Sequence, residues 1–227
     1  MSAADPTPVG GHRRGRYGNP VGFYERCLCP HLTEWALNNR WVERHRKILL
    51  APVRGRVLEI GFGSGLNLPF YPPGNVDELD ILDPAEGMHA KARARIAGTS
   101  FPVRPHAGSA EALPFEDETF DAAVCTFTFC TIPDPVRAAK ELRRVLKPGG
   151  SLRVFEHVAS ISPSVRRWQD RLNPVQNVLG CGCNLNRDPE AILADAGFGA
   201  RALERLYEPR TPKVVREHLI GSVTKTG

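Results

Sequence analysis

An extended apolar run, Arg56-Val57-Leu58-Glu59-Ile60, ends directly on Gly61-Phe62-Gly63-Ser64-Gly65. A strand that meets three alternating glycines turns sharply, because glycine adopts positive φ without a Cβ penalty. The same bareness lets the main chain approach a bound molecule, and the next turn presents unpaired N–H groups to it. Dinucleotide loops use Gly-x-Gly-x-x-Gly to seat a pyrophosphate. Here the third glycine arrives one residue early, Leu66 follows it, and Pro69 with Pro72-Pro73 keeps the next helix short. The bend is expected to cup a nucleoside in a different way.

Around it, short apolar runs alternate with longer helical ones. Strands are expected at Arg56–Ile60, Leu79–Asp83, Phe101–Arg104, Phe120–Thr126 and Ser151–Glu156. Helices are expected over Ala85–Ile96 and Val136–Leu146, the latter stopped by Pro148-Gly149-Gly150. Strands separated by helices imply crossovers and a largely parallel sheet. Asp188-Pro189 starts another helix and Gly197 stops it. Ala200–Leu206 and Lys213–Val223 then read as two strands paired as neighbours. The expected fold is α/β and Rossmann-like, a mostly parallel seven-stranded sheet flanked by helices with an antiparallel last strand.

The chain has 227 residues, 41% of them hydrophobic, enough for one substantial core. Residues 1–18 read as a flexible basic tail and 19–227 as one domain. Within it, 19–50 form a helical cap, 55–160 the cofactor core, 161–187 a substrate-side insertion and 188–227 a closing helix and strands. Tyr24–Cys29 reads as a short helix, His31–Leu50 as a helical stretch, and the insertion as a helix with Val165, Trp168 and Leu172 on one apolar face. No run reaches about 18 consecutive apolar residues, so no transmembrane anchor is expected. No secretory signal is expected at the start. A net charge of +5, with no dense basic stripe, argues against a nucleic-acid partner.

Six cysteines, at Cys27, Cys29, Cys125, Cys130, Cys181 and Cys183, are too few for a disulfide scaffold in this length. The two Cys-x-Cys pairs are spaced too closely for usual zinc ligands. They read as reduced thiols of a cytoplasmic protein, with no metal.

Glu59 and the acid ending the next strand, Asp83, complete the pattern around the bend, since a strand-end carboxylate accepts bonds from both hydroxyls of a ribose. Three further segments extend it: Leu82-Asp83-Pro84, Gly108-Ser109-Ala110-Glu111-Ala112-Leu113-Pro114-Phe115, and Arg144-Val145-Leu146-Lys147-Pro148-Gly149-Gly150. From about residue 55 to 160 the chain resembles class I S-adenosylmethionine-dependent methyltransferases. The resemblance implies S-adenosyl-L-methionine as cofactor and S-adenosyl-L-homocysteine as product. It assigns the amino-acid end of the cofactor to Gly61, Gly63 and Gly65, with Glu59 near its charged end. The ribose falls to Asp83, beside Pro84, and adenine to Ser109 and Ala110, with Met88 packed on the ring. In the second half, Phe155-Glu156-His157-Val158, Gly182-Cys183-Asn184-Leu185-Asn186-Arg187 and Arg216-Glu217-His218-Leu219-Ile220-Gly221 look like the methyltransferase-like 7 branch, similar to thiol S-methyltransferases. Tyr71-Pro72-Pro73-Gly74 fits it as well.

The acceptor is then a small molecule, with S-methylation of a thiol the expected reaction. N-, O- or C-methylation of an amine, phospholipid head group or quinone remains open, as does a non-catalytic cofactor-binding protein. His157, just past strand five at the edge where open sheets bind ligands, is the expected base or thiolate partner. Thr126, ending strand four, is expected to touch cofactor or acceptor. Tyr24, Phe127, Phe129 and Trp168 are candidates for an aromatic wall. Asn184, Arg187 and His218 read as local caps and surface charge.

Overall fold

The computed structural model describes residues 29–84, 90–199 and 201–226. The expected basic tail, Tyr24, Cys27, Met88 and the first five residues of the helix expected over Ala85–Ile96 lie outside the described residues; the rest of that helix is α3 (Ala90–Ile96). The sheet has seven strands: β1 (Gly55–Ile60), β2 (Val76–Asp83), β3 (Val103–Ala107), β4 (Phe120–Thr126), β5 (Leu146–His157), β6 (Arg201–Tyr207) and β7 (Glu217–Thr224), in the order β3-β2-β1-β4-β5-β7-β6. The first five run parallel, and β7 is antiparallel to both β5 and β6. The expected architecture is the observed one. Chain order reverses beside β1, so β1 and β4 run side by side and their carboxyl ends open a crevice at the switch point.

Alternation along β1 covers both faces. Leu58 and Ile60 join the core beneath α4 (Pro135–Val145) and α6 (Pro189–Asp195). Val57 joins the opposite core with Leu79, Ile81 and Val124. A parallel sheet buried on both faces needs such near-continuous apolar strands. Caps set the helix starts. Asp134 Oδ1 accepts from Arg137 N at 3.0 Å ahead of α4, and Asp188 Oδ1 from Glu190 N at 3.1 Å ahead of α6.

Several boundaries differ from the sequence expectation. The stretch 31–50 is two helices, α1 (Cys29–Leu37) and α2 (Arg40–Leu50), divided where Asn39 Oδ1 accepts from Trp41 N and Val42 N, both at 3.0 Å. β3 starts two residues later than expected and runs to Ala107, because its partner β2 extends to Asp83. β5 begins at Leu146, so Pro148-Gly149-Gly150 lies within a strand. The last strand starts at Glu217, shorter than expected.

The insertion helix α5 (Pro163–Leu179) turns the other way from the one expected. Trp168 is 55% exposed and Leu172 38%. Its inward row is polar: Gln169, Asn173 and Asn177. Gln169 bonds Ser160 N (2.8 Å), Val158 O (3.1 Å) and Val214 O (3.0 Å); Asn173 Oδ1 accepts from Leu185 N (2.7 Å); and Asn177 donates to Gly182 O (2.9 Å). The helix packs on loops, whose unpaired backbone groups call for polar partners. Truncating Leu142, which is fully buried in α4, to Ala is expected to cost about 2–5 kcal/mol of unfolding free energy by urea denaturation. Leu172→Ala is expected to cost less than about 1 kcal/mol, and equal losses would refute the orientation of α5.

Candidate active site

The glycine bend sits at the carboxyl edge of β1, beside the ends of β2 and β4. Gly61, Gly63 and Gly65 have φ of 68°, 56° and 81°. A Cβ on Gly61 would collide with the hydroxyl and methyl of Thr128, whereas one on Gly63 would meet only Gly61 O, at 4.0 Å. Gly61 is bare because the chain leaving β4 packs against it. Gly63 faces open space, where a ligand can lie.

Asp83 Oδ2, at the end of β2, accepts from Gly63 N at 3.0 Å. The acid expected to grip a ribose thus already touches the loop expected to cup the nucleoside. Pro84 beside it is exposed. Ser109 Oγ bonds Glu111 Oε2 at 3.2 Å and accepts from Glu111 N at 3.2 Å, which fixes the turn after β3, and Ala110 lies buried next to it. These residues meet along one rim.

Glu59 shares a face with Val57, so its side chain enters the core behind the bend. It is buried, and its oxygens accept from Asn67 Nδ2 at 3.0 Å and Tyr71 Oη at 2.7 Å. Asn67 also donates to Thr126 Oγ1 at 3.0 Å and accepts from Arg46 of α2; Arg46 in turn lies 3.3 Å from that same hydroxyl and 5.6 Å from the Phe127 ring centre. Glu59 and Thr126, both expected to face the ligand, spend these bonds on one internal network. Burial pushes the Glu59 carboxyl up to about 7, against the Tyr71 and Asn67 donors and the charge of Arg46. Burial brings the Arg46 guanidinium down to about 10. Arg46, Asn67 and Thr128 escaped the sequence reading because they fit no spacing rule: Arg46 lies on a helix outside the core motif, and Thr128 matters only through its contact with Gly61.

A second cluster lies beside the bend. Glu156 Oε1 accepts from Thr128 N (2.7 Å) and Phe129 N (3.1 Å), tying the end of β5 to the loop after β4. Burial pushes Glu156 up to about 7 even with these donors. The next residue, His157, places Nε2 2.8 Å from Cys183 Sγ, while its Nδ1 is buried with no hydrogen-bond partner among the described residues. Cys130 Sγ donates to Phe127 O at 3.7 Å, and the three ligand atoms of Cys130, His157 and Cys183 lie within 4.8 Å of one another. Burial would lower the His157 pKa, but the Cys183 sulfur beside it holds the imidazolium up to about 9. The Cys130 and His157 hydrogen bonds hold the Cys183 thiol well below its ordinary range.

The insertion is strapped onto this edge. Asn184 donates to Cys130 O at 2.8 Å, and Arg187 donates to the carbonyls of Phe129 and Ile132. His218 is buried against Trp41, Phe127 and Phe155, and burial lowers its pKa to about 4. These three residues are structural ties and core, not surface charge. Among the described members of the expected aromatic wall, Phe129 is fully buried, Trp168 faces outward, and Phe127 lies beside Arg46; Tyr24 lies outside the described residues. Nor are all the cysteines reduced. Cys181 is disulfide-bonded, whereas Cys125, Cys130 and Cys183 are free thiols. Sequence spacing alone cannot show such a pairing. Among the described residues no helix is long and apolar enough to cross a membrane.

A cleft of about 950 Å³ opens at the opposite, amino-terminal edge of the sheet, beside Arg54, Asp121, Lys147 and Arg153. It lies far from the glycine bend, and ligands of open α/β sheets bind at the carboxyl edge.

A family model described as a methyltransferase domain matches residues 58–172. The chain is 31% identical to the human thiol S-methyltransferase TMT1B over 198 residues, covering 83% of this chain and 81% of that one. It is 33% identical to human TMT1A over 180 residues, covering 74% and 70%. The chain belongs to the class I S-adenosylmethionine-dependent methyltransferases. Within them it is related to the thiol S-methyltransferase branch. The crystal structure of the [4+2]-cyclase SpnF superposes with a TM-score of 0.65 at 22% identity, over 82% of this chain and 81% of that one, which speaks for the fold alone.

The bend of this methyltransferase suits its cofactor: Gly63 leaves space at positive φ, and Asp83 is aimed at the same point. S-Adenosylmethionine supplies an electrophilic methyl group on a sulfonium sulfur. The enzyme acts on a small-molecule acceptor.

The raised Glu59 carboxyl makes stability pH-dependent. The folded protein keeps a proton up to about pH 7 that the unfolded chain releases near 4.5. The contribution of this group is therefore full below about 4.5 and is lost as pH rises through 7. Glu59→Gln is expected to flatten that decline by up to a few kcal/mol between about pH 4.5 and 7, read from urea midpoints. An unchanged slope would show that the carboxyl does not hold its proton.

Proposed function

We propose that this methyltransferase transfers its methyl group to the sulfur of a small thiol. The observation that carries the reading is His157, held 2.8 Å from a sulfur at the carboxyl edge of β5. An edge that lowers the proton affinity of a protein thiol suits a thiolate acceptor, since the thiolate is the nucleophile. The likeness to TMT1B supports it. A match covering 83% of this chain extends past residue 172 and takes in both His157 and Cys183.

The reaction is an in-line displacement. The acceptor sulfur gives a lone pair to the methyl carbon, the carbon–sulfonium bond breaks onto the departing sulfur, and the positive charge disappears. No covalent enzyme intermediate is needed. Positioning alone removes about 7–11 kcal/mol of barrier when the reacting atoms are aligned. Gly61, Gly63 and Gly65 shape the backbone against the donor, Asp83 accepts from its ribose hydroxyls, and Ser109 with Ala110 flanks adenine. Glu59 and Thr126 act through Asn67, Tyr71 and Arg46 as positioning residues that hold the bend. His157 stabilises negative sulfur.

Labelled S-adenosylmethionine offered with thiols, amines and quinols tests the assignment. Methylation of thiols at least about tenfold faster than of the others is expected; preferred transfer to nitrogen or ring carbon would overturn it. Asp83→Ala is expected to raise the cofactor dissociation constant by about tenfold or more in calorimetry, through loss of charge-assisted hydrogen bonds. Unchanged affinity would remove Asp83 from the ribose.

A further inference from the structure

The sequence gives no reason to join Cys130, His157 and Cys183, which come from the loop after β4, the end of β5 and the loop after α5. The fold brings their ligand atoms within 4.8 Å of one another. We propose that these three residues bind a soft divalent cation, zinc foremost, and that its fourth coordination position receives the acceptor sulfur. This rests on the thiol reading above and deepens it.

Two sulfurs and one imidazole form a recognised zinc donor set, and catalytic zinc sites keep three protein ligands with the fourth position open. Tetrahedral zinc, with Zn–S of about 2.3 Å and Zn–N of about 2.0–2.1 Å, needs donor atoms roughly 3.5–3.8 Å apart. The His157–Cys183 pair at 2.8 Å must open by under about 1 Å, and the widest pair must close by about the same, within reach of side-chain rotation.

The surroundings hold the donors in place. Asn184 bonds the Cys130 carbonyl through both its backbone N (3.0 Å) and its side chain (2.8 Å), fixing one cysteine against the loop of the other. Glu156 anchors the start of that loop, one residue before His157. Thr128, two residues before Cys130, is the residue packed on Gly61. A cation here stands beside the loop that carries the methyl donor. Cys125 is a contrast: it is fully buried, it contacts Glu156, and it lies outside the trio.

The chemistry follows from the donor set. A thiol entering the fourth position loses its proton to solvent, because a coordinating thiol is deprotonated outright. The metal-bound thiolate gives its lone pair to the methyl carbon while the carbon–sulfonium bond breaks. The product thioether is neutral, a weaker ligand than thiolate, and departs.

The test is cobalt(II) added to the anaerobic full-length protein without reductant. One cobalt per chain is expected, with tetrahedral d–d bands and sulfur-to-metal charge transfer. Cys130→Ser, Cys183→Ser and His157→Asn should each weaken binding by more than about tenfold, while Cys125→Ala leaves the spectrum unchanged. Retained cofactor affinity shows that each variant is folded, and the less buried Cys183 and His157 keep the test decisive if Cys130→Ser is not. A small thiol should then shift the bands, and the matching thioether should not. Absence of the bands, their survival in Cys183→Ser, or oxidation of Cys130 and Cys183 to a disulfide in place of metal binding would overturn the proposal. So would bands that no thiol perturbs. Thiol methylation that persists at full rate in metal-stripped enzyme would sink the cation and leave the thiol reading standing; a bound cobalt with no thiol methylated would sink both.

Discussion

The contact between Gly61 and Thr128 organises this edge of the molecule. Both strands could end as they do without it, but the loop after β4 lies against the bend after β1 only because residue 61 has no Cβ. From that point the other positions follow. Thr128 and Phe129 turn their N–H groups to Glu156, Glu156 fixes the register of His157, and Cys130 comes to rest opposite Cys183. The donor loop and the acceptor edge are thus one packed unit, and a side chain at 61 would pry them apart.

Beneath that unit lies a buried polar network. Arg46 and Glu59 sit on opposite sides of Asn67, each desolvated, with Thr126 and Tyr71 closing the remaining bonds. Removing any one of these side chains leaves its buried partner without a hydrogen bond, at a cost of about 1–3 kcal/mol. The return is geometric. Five side chains from α2, β1, the turn after the bend and β4 are held in one arrangement, so the ligand loop cannot drift from the sheet.

Much of this was legible in the sequence because it obeys local rules. Strand β4 reads directly from Phe120–Thr126, helix α4 from the stretch Val136–Leu146 that Pro148-Gly149-Gly150 closes, and the bend from its glycines. The family likeness carries the sheet order and the cofactor. What escaped obeys no local rule. Arg46 is one basic residue among several on α2, and nothing in its neighbourhood says that it turns inward. Glu59 reads as a ligand acid until Tyr71 and Asn67 are seen to occupy it. Trp168 and Leu172 carry a helical apolar period, which the usual logic turns toward the core. That logic assumes an apolar surface below, whereas α5 lies on loops that offer carbonyls and amides. The Cys-x-Cys spacing was a similar trap: the chemistry runs from Cys183 to residues 130 and 157, not to Cys181.

The acceptor side therefore depends on parts of the chain that the shared cofactor core leaves free to vary. The polar row of α5 holds the 180–187 loop by Asn173 and Asn177, and that loop holds residues 129–132 by Asn184 and Arg187. Cys183 sits in the middle of this strap, with bonded residues on either side. A fold shared with a cyclase cannot by itself name the reaction, but a strap that delivers sulfur to the imidazole at the end of β5 narrows it. On the proposed thiol reading, changing the strap would spare the donor site and remove the sulfur chemistry of the acceptor edge, which would put specificity outside the motif that names the family.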